Sequence, residues 1–214
     1  MRKITVNASK SYDVIIEKGA IDRIGEYAES VGIKGKACII SDSNVAPIYM
    51  ERVKNSLLKR GVSVCEYVFP AGEASKTAET YIGILNFLAE NHISRKDTLF
   101  ALGGGVTGDL TGFCAATYMR GIKFVQIPTS LLAAVDSSVG GKTGIDLKSG
   151  KNLAGAFYQP EIVVFDPDVL DTLPEKYFAD GMAEVIKYAI IRGKDIDKLI
   201  FEDTRKNLEE IIAR

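Results

Sequence analysis

The sequence predicts an α/β fold in which a Rossmann-like parallel sheet is covered by helices, followed by the start of a truncated all-helical domain. Short apolar runs of strand length alternate with segments of helical periodicity through most of the 214 residues. Strands that alternate with helices indicate βαβ units and a parallel sheet. After residue 173 only helical patterns follow. We therefore expect an α/β domain over residues 1–172 and the first helices of an incomplete second domain over residues 173–214.

The first predicted elements follow one another closely. Two strands, residues 3–7 and 12–17, flank a polar turn. Apolar side chains then recur at helical spacing over residues 21–31. The apolar run 36–41 predicts a buried strand, and the helix predicted over residues 45–60 ends before a glycine.

The rest of the sheet is predicted from short apolar runs bounded by charged residues, glycine or proline. These strands cover residues 62–69, 97–102, 122–127 and 161–165. Helices are predicted over residues 75–91, with Ser75 as the cap, over residues 110–118, and in a short segment from Thr129. A further helix is predicted over residues 180–192.

Residues 137–155 have a different composition, because glycines and serines interleave there with lysines. Few of these side chains could form a core, so we expect a long loop. Composition alone leaves open whether the loop is only a solvated connection. Long irregular segments in compact domains are often functional, and lysines suit phosphate and carboxylate groups.

A glycine-rich turn joins the strand predicted over residues 97–102 to the helix predicted over residues 110–118. Gly103, Gly105 and Gly108 satisfy the G-x-G-x-x-G spacing that binds a dinucleotide when it lies between a strand and a helix. A helix N-terminus exposes unpaired N–H groups, which suit a pyrophosphate. A close-packed turn without a ligand is the alternative. The acidic residue expected about 20 residues later is absent, so a dinucleotide would bind in a variant arrangement.

The helix predicted over residues 180–192 carries two faces. An apolar stripe includes Val185 and Ala189, whereas Glu184 and Lys187 share another face. A surface ion pair is the simpler interpretation and is favoured by periodicity alone. The functional alternative is a carboxylate that binds a metal beside an ammonium group that binds substrate.

Composition narrows the class of protein. The formal net charge of −1 gives no electrostatic indication of a nucleic-acid or membrane partner. The first residues lack the apolar core of a signal peptide, and no run approaches the ~18 apolar residues of a membrane span. The three cysteines are too widely spaced to indicate a disulfide framework or a zinc site. We expect a cytoplasmic protein.

Six separated segments resemble the 3-dehydroquinate synthase family, and their order and spacing span nearly the whole chain. They are residues 70–76, 102–109, 126–132, 135–143, 150–153 and 181–187. The resemblance implies conversion of 3-deoxy-D-arabino-heptulosonate 7-phosphate to 3-dehydroquinate and phosphate, with NAD as a recycled cofactor and zinc or cobalt as the metal. It also implies an NAD-binding α/β domain followed by an all-helical metal-binding domain.

The resemblance also implies a role for each matching position. Implied NAD contacts are Asp42, Asn44, Glu73, Lys76, Gly104, Gly105, Val106, Gly108, Asp109, Thr129, Ser130, Lys142, Lys151 and Thr172. The implied substrate shell consists of Asp136, Lys142, Lys151, Asn152 and Lys187. Arg120 matches an arginine that reaches a neighbouring subunit's site, which implies a homodimer, and Glu184 matches one metal ligand. Asp42 and Asn44 would replace the missing acidic residue at the adenosine.

The sequence departs from the family in its histidines. His92 is its only histidine, and one histidine cannot build a site that needs three protein ligands. We read His92 as a structural or surface residue, and we expect an NAD-binding portion of a synthase with little cyclising activity of its own. The alternatives are an inosose or valiolone synthase, a polyol dehydrogenase, and a non-catalytic NAD-binding module. Lys142 together with residues 150–152 favours dehydroquinate synthase.

Overall fold

The computed structural model describes residues 1–192, 198–200 and 206–213. Seven strands form one sheet: β1 (Arg2–Val6), β2 (Tyr12–Ile16), β3 (Lys36–Asp42), β4 (Ser63–Phe69), β5 (Thr98–Gly103), β6 (Lys123–Pro128) and β9 (Ile162–Phe165). Their order across the sheet is β1-β2-β9-β6-β5-β3-β4. All neighbours are parallel except β1 and β2. The predicted parallel α/β sheet is therefore confirmed, whereas the domain boundary near residue 172 stays a prediction.

Helices cover both faces of this sheet. They are α1 (Ile24–Ser30), α2 (Ala46–Leu58), α3 (Ala78–Glu90), α4 (Gly105–Thr117), α5 (Glu175–Arg192) and α6 (Leu208–Ala213). A short 3-10 helix, Pro167–Thr172, follows β9. No helix among the described residues is long and apolar enough to cross a bilayer.

Two predicted helix starts were wrong. Thr77, rather than Ser75, caps α3, and its hydroxyl accepts a hydrogen bond from the Thr80 amide at 3.2 Å. Ser75 instead lies in a 3-10 turn and donates to the carbonyl of Pro70 at 2.5 Å. Helix α4 begins at Gly105 rather than at residue 110, because glycines in a first turn do not prevent helical backbone where tertiary packing supports it.

Apolar side chains form a separate core on each face of the sheet. Along β3, Ala37 and Ile39 belong to the core that includes α1 and α2, whereas Cys38 and Ile40 belong to the core that includes α3 and α4. Successive strand residues point to opposite faces, so a strand covered on both sides must be apolar throughout. This is why the buried strands read as continuous apolar runs.

The loop predicted over residues 137–155 was wrong for most of its length. Strands β7 (Lys142–Leu147) and β8 (Gly150–Phe157) form an antiparallel hairpin that packs on α4. Its inward face is small, and Ile145 is only 4% exposed. Gly112 of α4 has no side chain where the methyl group of Thr143 approaches, so a Cβ there would overlap it. The hairpin buries little apolar surface, which is why composition alone resembles a loop.

The strand order indicates where a ligand crevice would lie, at the carboxyl ends of the strands. From β3 the chain passes outward to β4 and then returns to the other side of β3 to form β5. In such sheets, ligands bind outside the carboxyl ends of the strands where the winding direction reverses. The ends of β3 and β5 therefore mark the candidate site.

Candidate functional site

The N-terminus of α4 lies at the end of β5. Gly104 is its N-cap residue with extended backbone (φ −77°, ψ −168°), and none of the described side chains caps the helix there. The amide of Gly108 is already bonded to the carbonyl of Gly104 at 3.1 Å. The amides of the preceding positions in the first turn are the ones that a helix leaves for external acceptors. This end of α4 is therefore suited to an anion.

The glycines of this turn differ in what excludes a side chain. A Cβ at Gly103 would overlap Thr107, and one at Gly108 would lie 2.9 Å from the Oε1 atom of Gln126. Position 103 therefore needs glycine for packing, as the interpretation without a ligand predicts, whereas a side chain at position 108 would require the end of the Gln126 side chain to move. A Cβ at Gly104 meets only the Ser130 hydroxyl, at an ordinary 3.5 Å. Packing does not require glycine at position 104, and close approach of a ligand would.

Asp42 at the end of β3 faces the first turn of α4. Its Oδ1 atom accepts the amides of Asn44 at 2.8 Å and Val45 at 3.1 Å, which fixes the turn into α2. Its Oδ2 atom accepts the Thr107 hydroxyl at 3.4 Å. The structure therefore brings Asp42 and the glycine turn together, and it leaves the Asn44 side chain exposed.

Lys76 forms the most buried charged contact of the site. It is 4% exposed and its Nζ atom donates to the carboxylate of Asp109 and, at 2.5 Å, to the side-chain oxygen of Asn152. Burial raises the pKa of Asp109, although the ammonium group of Lys76 opposes that increase. Lys76 thereby joins α4 to the hairpin, and the three residues implied by the resemblance lie together.

Asp146 of β7 completes this network. The backbone amide of Asn152 donates to its Oδ1 atom at 2.7 Å, and its own amide donates to the carbonyl of Lys76 at 2.8 Å. Asn152 has left-handed backbone (φ 57°), which is uncommon for a residue with a side chain. The Asp146 carboxylate therefore holds Asn152 in the conformation that reaches Lys76. Nothing in the sequence pattern indicated this role.

The two lysines in the strands of the hairpin, Lys142 and Lys151, are exposed. Lys151 lies 3.2 Å from the Oε1 atom of Glu73, and both side chains remain solvated. Lys142 is the first residue of β7. Burial raises the pKa of Asp109, and the positive charge of Lys142 is one of the smaller effects that oppose this increase. Lys142 is thus close enough to Asp109 to influence its protonation. The hairpin presents both ammonium groups near the Lys76 network.

The residues that follow β6 also lie at the candidate site, beside the glycine turn. The Thr129 amide donates to the carbonyl of Gly103 at 3.0 Å, which anchors the end of β6 beside the glycine turn. The Ser130 hydroxyl accepts the Ala133 amide at 3.3 Å. Thr172 contacts α2 instead, because its hydroxyl lies 2.7 Å from that of Tyr49.

Helix α5 packs closely against the segment that follows β6. A Cβ at Gly181 would lie 2.6 Å from that of Leu131, so glycine allows the approach. The hydroxyl of Tyr188 on α5 donates to Asp136 at 3.2 Å, and this hydrogen bond links Asp136 to the helix. Lys187 forms an ion pair with Glu184 on the same helix, and this pairing raises the pKa of Lys187. The ion pair expected from periodicity is present.

The structure offers little for a metal ion. No group of three or more histidine, cysteine, aspartate or glutamate side chains suited to a metal occurs among the described residues. His92 is exposed with left-handed backbone (φ 54°) at the turn before β5, as expected of a surface residue. Glu184 remains a single candidate ligand.

Arg120 lies away from the crevice. It follows α4, whose 13 residues place its two ends ~20 Å apart. Met119 (φ 50°) and Arg120 (φ 68°) both have left-handed backbone, and the arginine side chain is exposed. Within one protomer Arg120 therefore does not join the other predicted residues.

Comparisons with known proteins agree with this geometry. The 3-dehydroquinate synthase N-terminal family matches residues 66–180. A 3-dehydroquinate synthase of Lactococcus lactis subsp. cremoris (strain MG1363) is 50% identical over 213 residues, which are 99% of this chain and 60% of that protein. The chain thus spans about 60% of the length of such curated relatives.

Solved structures of related cyclases share the fold. A 2-deoxy-scyllo-inosose synthase complexed with carbaglucose-6-phosphate, NAD+ and Co2+ has a TM-score of 0.81 at 28% identity, over 87% of this chain and 50% of that one. ValA, the 2-epi-5-epi-valiolone synthase of Streptomyces hygroscopicus subsp. jinggangensis with NAD+ and Zn2+, has a TM-score of 0.76 at 28% identity, over 86% of this chain and 51% of that one. The family match over more than half of the chain, together with the identity over nearly its full length, establishes that this chain belongs to the 3-dehydroquinate synthase family.

Proposed function

We propose that this chain is the NAD-binding portion of a 3-dehydroquinate synthase, which converts 3-deoxy-D-arabino-heptulosonate 7-phosphate to 3-dehydroquinate and phosphate. The observation that carries the proposal is the uncapped N-terminus of α4, open at Gly104, where the winding of the sheet reverses. Curated relatives near 50% identity bear this enzyme name, whereas the inosose and valiolone synthases are 28% identical. Sequence identity therefore favours dehydroquinate synthase over the other cyclases.

The NAD diphosphate would accept hydrogen bonds from the first turn of α4. Asp42 and Asn44 would face the adenosine, because they lie at the end of the neighbouring strand. The remaining proposed NAD contacts are Glu73, Lys76, Gly104, Gly105, Val106, Gly108, Asp109, Thr129, Ser130, Lys142, Lys151 and Thr172. The Gly104 position fits this group, since nothing but the Ser130 hydroxyl lies near a Cβ there.

The substrate would bind between the hairpin and α5. Lys142, Lys151, Asn152, Asp136 and Lys187 are its proposed contacts. The ammonium groups would bind the phosphate and stabilise it as it departs, since charged hydrogen bonds to anions are the strong ones. The first turn of α4 would hold NAD, which would supply hydride transfer, and Glu184 would contribute to holding a metal, which would supply Lewis-acid chemistry. Asp136, held by Tyr188, would orient substrate hydroxyl groups.

We propose Glu184 as a ligand for zinc or cobalt. Its carboxylate pairs with Lys187 on α5 and lies one helical turn from Tyr188, whose hydroxyl donates to Asp136. The described residues do not supply a full ligand set, so this chain alone should bind the metal weakly. With 214 residues and one histidine, the chain should release little or no phosphate from the heptulosonate substrate, even with added zinc.

We also propose a cytoplasmic homodimer. The exposed Arg120, far from its own crevice, suits a contact with the site of a second protomer, as the family resemblance implies. Sedimentation of the chain at micromolar concentrations would give the mass of two chains if the proposal holds. A monomer at all concentrations would contradict it.

A substitution at Gly104 tests NAD binding separately from folding. Aspartate at an N-cap stabilises a helix, and Gly104→Asp should therefore raise the melting temperature slightly. The added carboxylate would repel the diphosphate, so titration calorimetry with NAD should show an affinity at least about 100-fold lower. Gly104→Ala is the uncharged control and should lose much less affinity. Unchanged NAD affinity in Gly104→Asp, or no NAD binding by the unaltered chain, would overturn the proposal.

A further inference from the structure

Two cysteines lie side by side in the sheet, away from the proposed site. Cys38 of β3 and Cys65 of β4 are direct partners in the parallel register, so both side chains point to the same face. Neighbouring strands are ~4.8 Å apart. This spacing lies within the ~4.4–6.8 Å range of Cα separations that a disulfide spans. Both thiols are free.

The two thiols have different surroundings. Cys38 is fully buried, and the neighbouring Cys65 and burial together raise its pKa. Cys65 lies half-buried on β4, which is an edge strand. The neighbouring Cys38 lowers the pKa of Cys65, burial opposes this decrease, and the charge of Lys36 adds to it. The Cys65 thiol itself donates to the carbonyl of Ala37 at 3.7 Å. A peroxide can reach the half-buried Cys65 on the edge strand more readily than the fully buried Cys38, and a thiolate is the nucleophile in thiol oxidation, so Cys65 is the reactive member.

We propose that Cys65 and Cys38 form an oxidation site in which Cys65 reacts with a peroxide and Cys38 resolves the product into a disulfide. The Cys65 thiolate attacks one peroxide oxygen, the O–O bond breaks, and hydroxide leaves with the second oxygen. The Cys38 sulfur then attacks the sulfenic sulfur of Cys65, so that an S–S bond forms and the S–O bond breaks. The departing hydroxide takes the Cys38 proton as water. The peroxide is reduced by two electrons and the thiol pair is oxidised by two.

The edge position of β4 allows this step. A disulfide requires the Cβ atoms to approach within ~3.5–4.5 Å, closer than side-by-side residues of a parallel pair usually lie. Among the strands of the described residues, β4 pairs only with β3 and has no neighbour on its other side, so it can shift towards β3. The resulting bond would be strained, and strained disulfides are readily reduced by added thiols. The site is therefore reversible.

Cys114 provides a matched internal control. It is fully buried in α4, and burial raises its pKa. It belongs to the same core as Cys38, but no thiol lies beside it in the strand register. If oxidation depends on the pairing of Cys38 with Cys65, and not on exposure of the whole core, Cys114 should therefore stay reduced.

The test is mass spectrometry of the native chain. After exposure to hydrogen peroxide, denaturation and alkylation, one cysteine rather than all three should be alkylated, and dithiothreitol should restore three. Digestion with trypsin should give a linked pair of peptides covering residues 37–52 and 61–76, with the alkylated cysteine in residues 97–120. Retention of three alkylated cysteines, or any linkage that includes Cys114, would overturn the proposal.

Two variants assign the order of attack. Cys38→Ser should stop at a sulfenic acid on Cys65 that dimedone traps, whereas Cys65→Ser should show no modification at the same peroxide concentration. Cys114→Ser should oxidise like the unaltered chain. Equal trapping at Cys38 in Cys65→Ser would show that the assignment of the reactive thiol is wrong. All readouts are chemical and are independent of NAD binding.

Discussion

At the scale of single residues, Lys76 is the residue whose loss the site tolerates least. Its ammonium group is the partner of the half-buried Asp109 carboxylate and holds Asn152 as well. Removing one partner of a buried ion pair leaves an uncompensated charge, which costs about 3–5 kcal/mol. We therefore expect Lys76→Met to lower the free energy of unfolding by about 3 kcal/mol. Chemical denaturation at neutral pH measures this loss.

The pH dependence of that loss identifies its cause. Burial already raises the pKa of Asp109 and Lys76 opposes the increase, so Lys76→Met should raise this pKa further. A carboxylate whose folded-state pKa is raised destabilises the fold above that pKa and no longer does so once protonated. The penalty of Lys76→Met should therefore be complete above the raised pKa of Asp109 and should shrink as the pH falls through that pKa towards the unfolded-state value. Lys76→Met combined with Asp109→Asn is the control and should lack this pH dependence.

The pKa of Asp97 is lowered, whereas that of Asp109 is raised, so the Asp97 carboxylate stabilises the fold at neutral pH. Burial would raise its pKa, but the amides of Lys36 at 2.7 Å and Ser94 at 2.6 Å donate to its carboxylate, and the pKa lies below 3.8. Its stabilisation is thus complete above the unfolded-state value and is lost as the pH falls through the folded-state pKa. We expect Asp97→Ala to cost about 2–3 kcal/mol at pH 7. Denaturation at several pH values should show that difference disappearing in acid.

At the scale of elements, the attachment of the hairpin to α4 depends on Gly112. Alanine at this position would gain ~1 kcal/mol of helix propensity but would overlap the Thr143 methyl group. Because Thr143 is buried and its hydroxyl donates to the Ala156 carbonyl at 2.8 Å, it cannot turn away freely. Overpacking typically costs about 1–3 kcal/mol, so Gly112→Ala should be destabilising on balance.

A double mutant separates overlap from other effects. Thr143→Ser removes the methyl group and keeps the hydroxyl that donates to Ala156. Gly112→Ala combined with Thr143→Ser should therefore recover most of the stability lost in Gly112→Ala, which a thermodynamic cycle from denaturation curves would measure. Additive losses in the double mutant would mean that the overlap with Thr143 is not the cause.

The sequence predicts an element well where a single structural cause explains its apolar pattern. Strands β3, β5 and β6 are apolar throughout because helices cover both their faces, and each was predicted within about a residue. The hairpin was missed, since its inward residues Thr143, Ala154 and Ala156 are small and its strands contain glycine. Glycine normally weakens a strand, so the packing on α4 that selects this hairpin is invisible in the sequence alone.

The candidate site was predictable only in part. A glycine turn between a strand and a helix has a sequence pattern, and the structure places such a turn between β5 and α4, although the helix begins earlier than predicted. The contact of Lys76 with Asp109 and Asn152 joins three distant segments, so only the resemblance indicated it. Asp146 acts through the backbone of Asn152, and no spacing rule identifies a side chain that accepts a backbone amide from the opposite strand.

At the scale of the whole molecule, the residues proposed to bind the cofactor and the metal lie on different segments of the chain. Helix α4 and the turn after β3 converge at the crevice, whereas Glu184 and Lys187 lie on α5 after the last strand of the sheet. Cofactor binding and metal binding would thus depend on different segments. The described residues supply a formed helix N-terminus for the first and a single carboxylate for the second.

This separation predicts that NAD binding by the chain does not require a metal ion. Calorimetric affinity for NAD should be equal within about twofold in EDTA, in zinc chloride and in cobalt chloride, since a factor of two is only ~0.4 kcal/mol. Glu184→Gln should bind NAD as the unaltered chain does, because it removes a metal ligand and leaves Gly104 and Asp42 untouched. Affinity at least tenfold higher with metal, and lost in Glu184→Gln, would instead mean that α5 and the crevice form one site already in this chain.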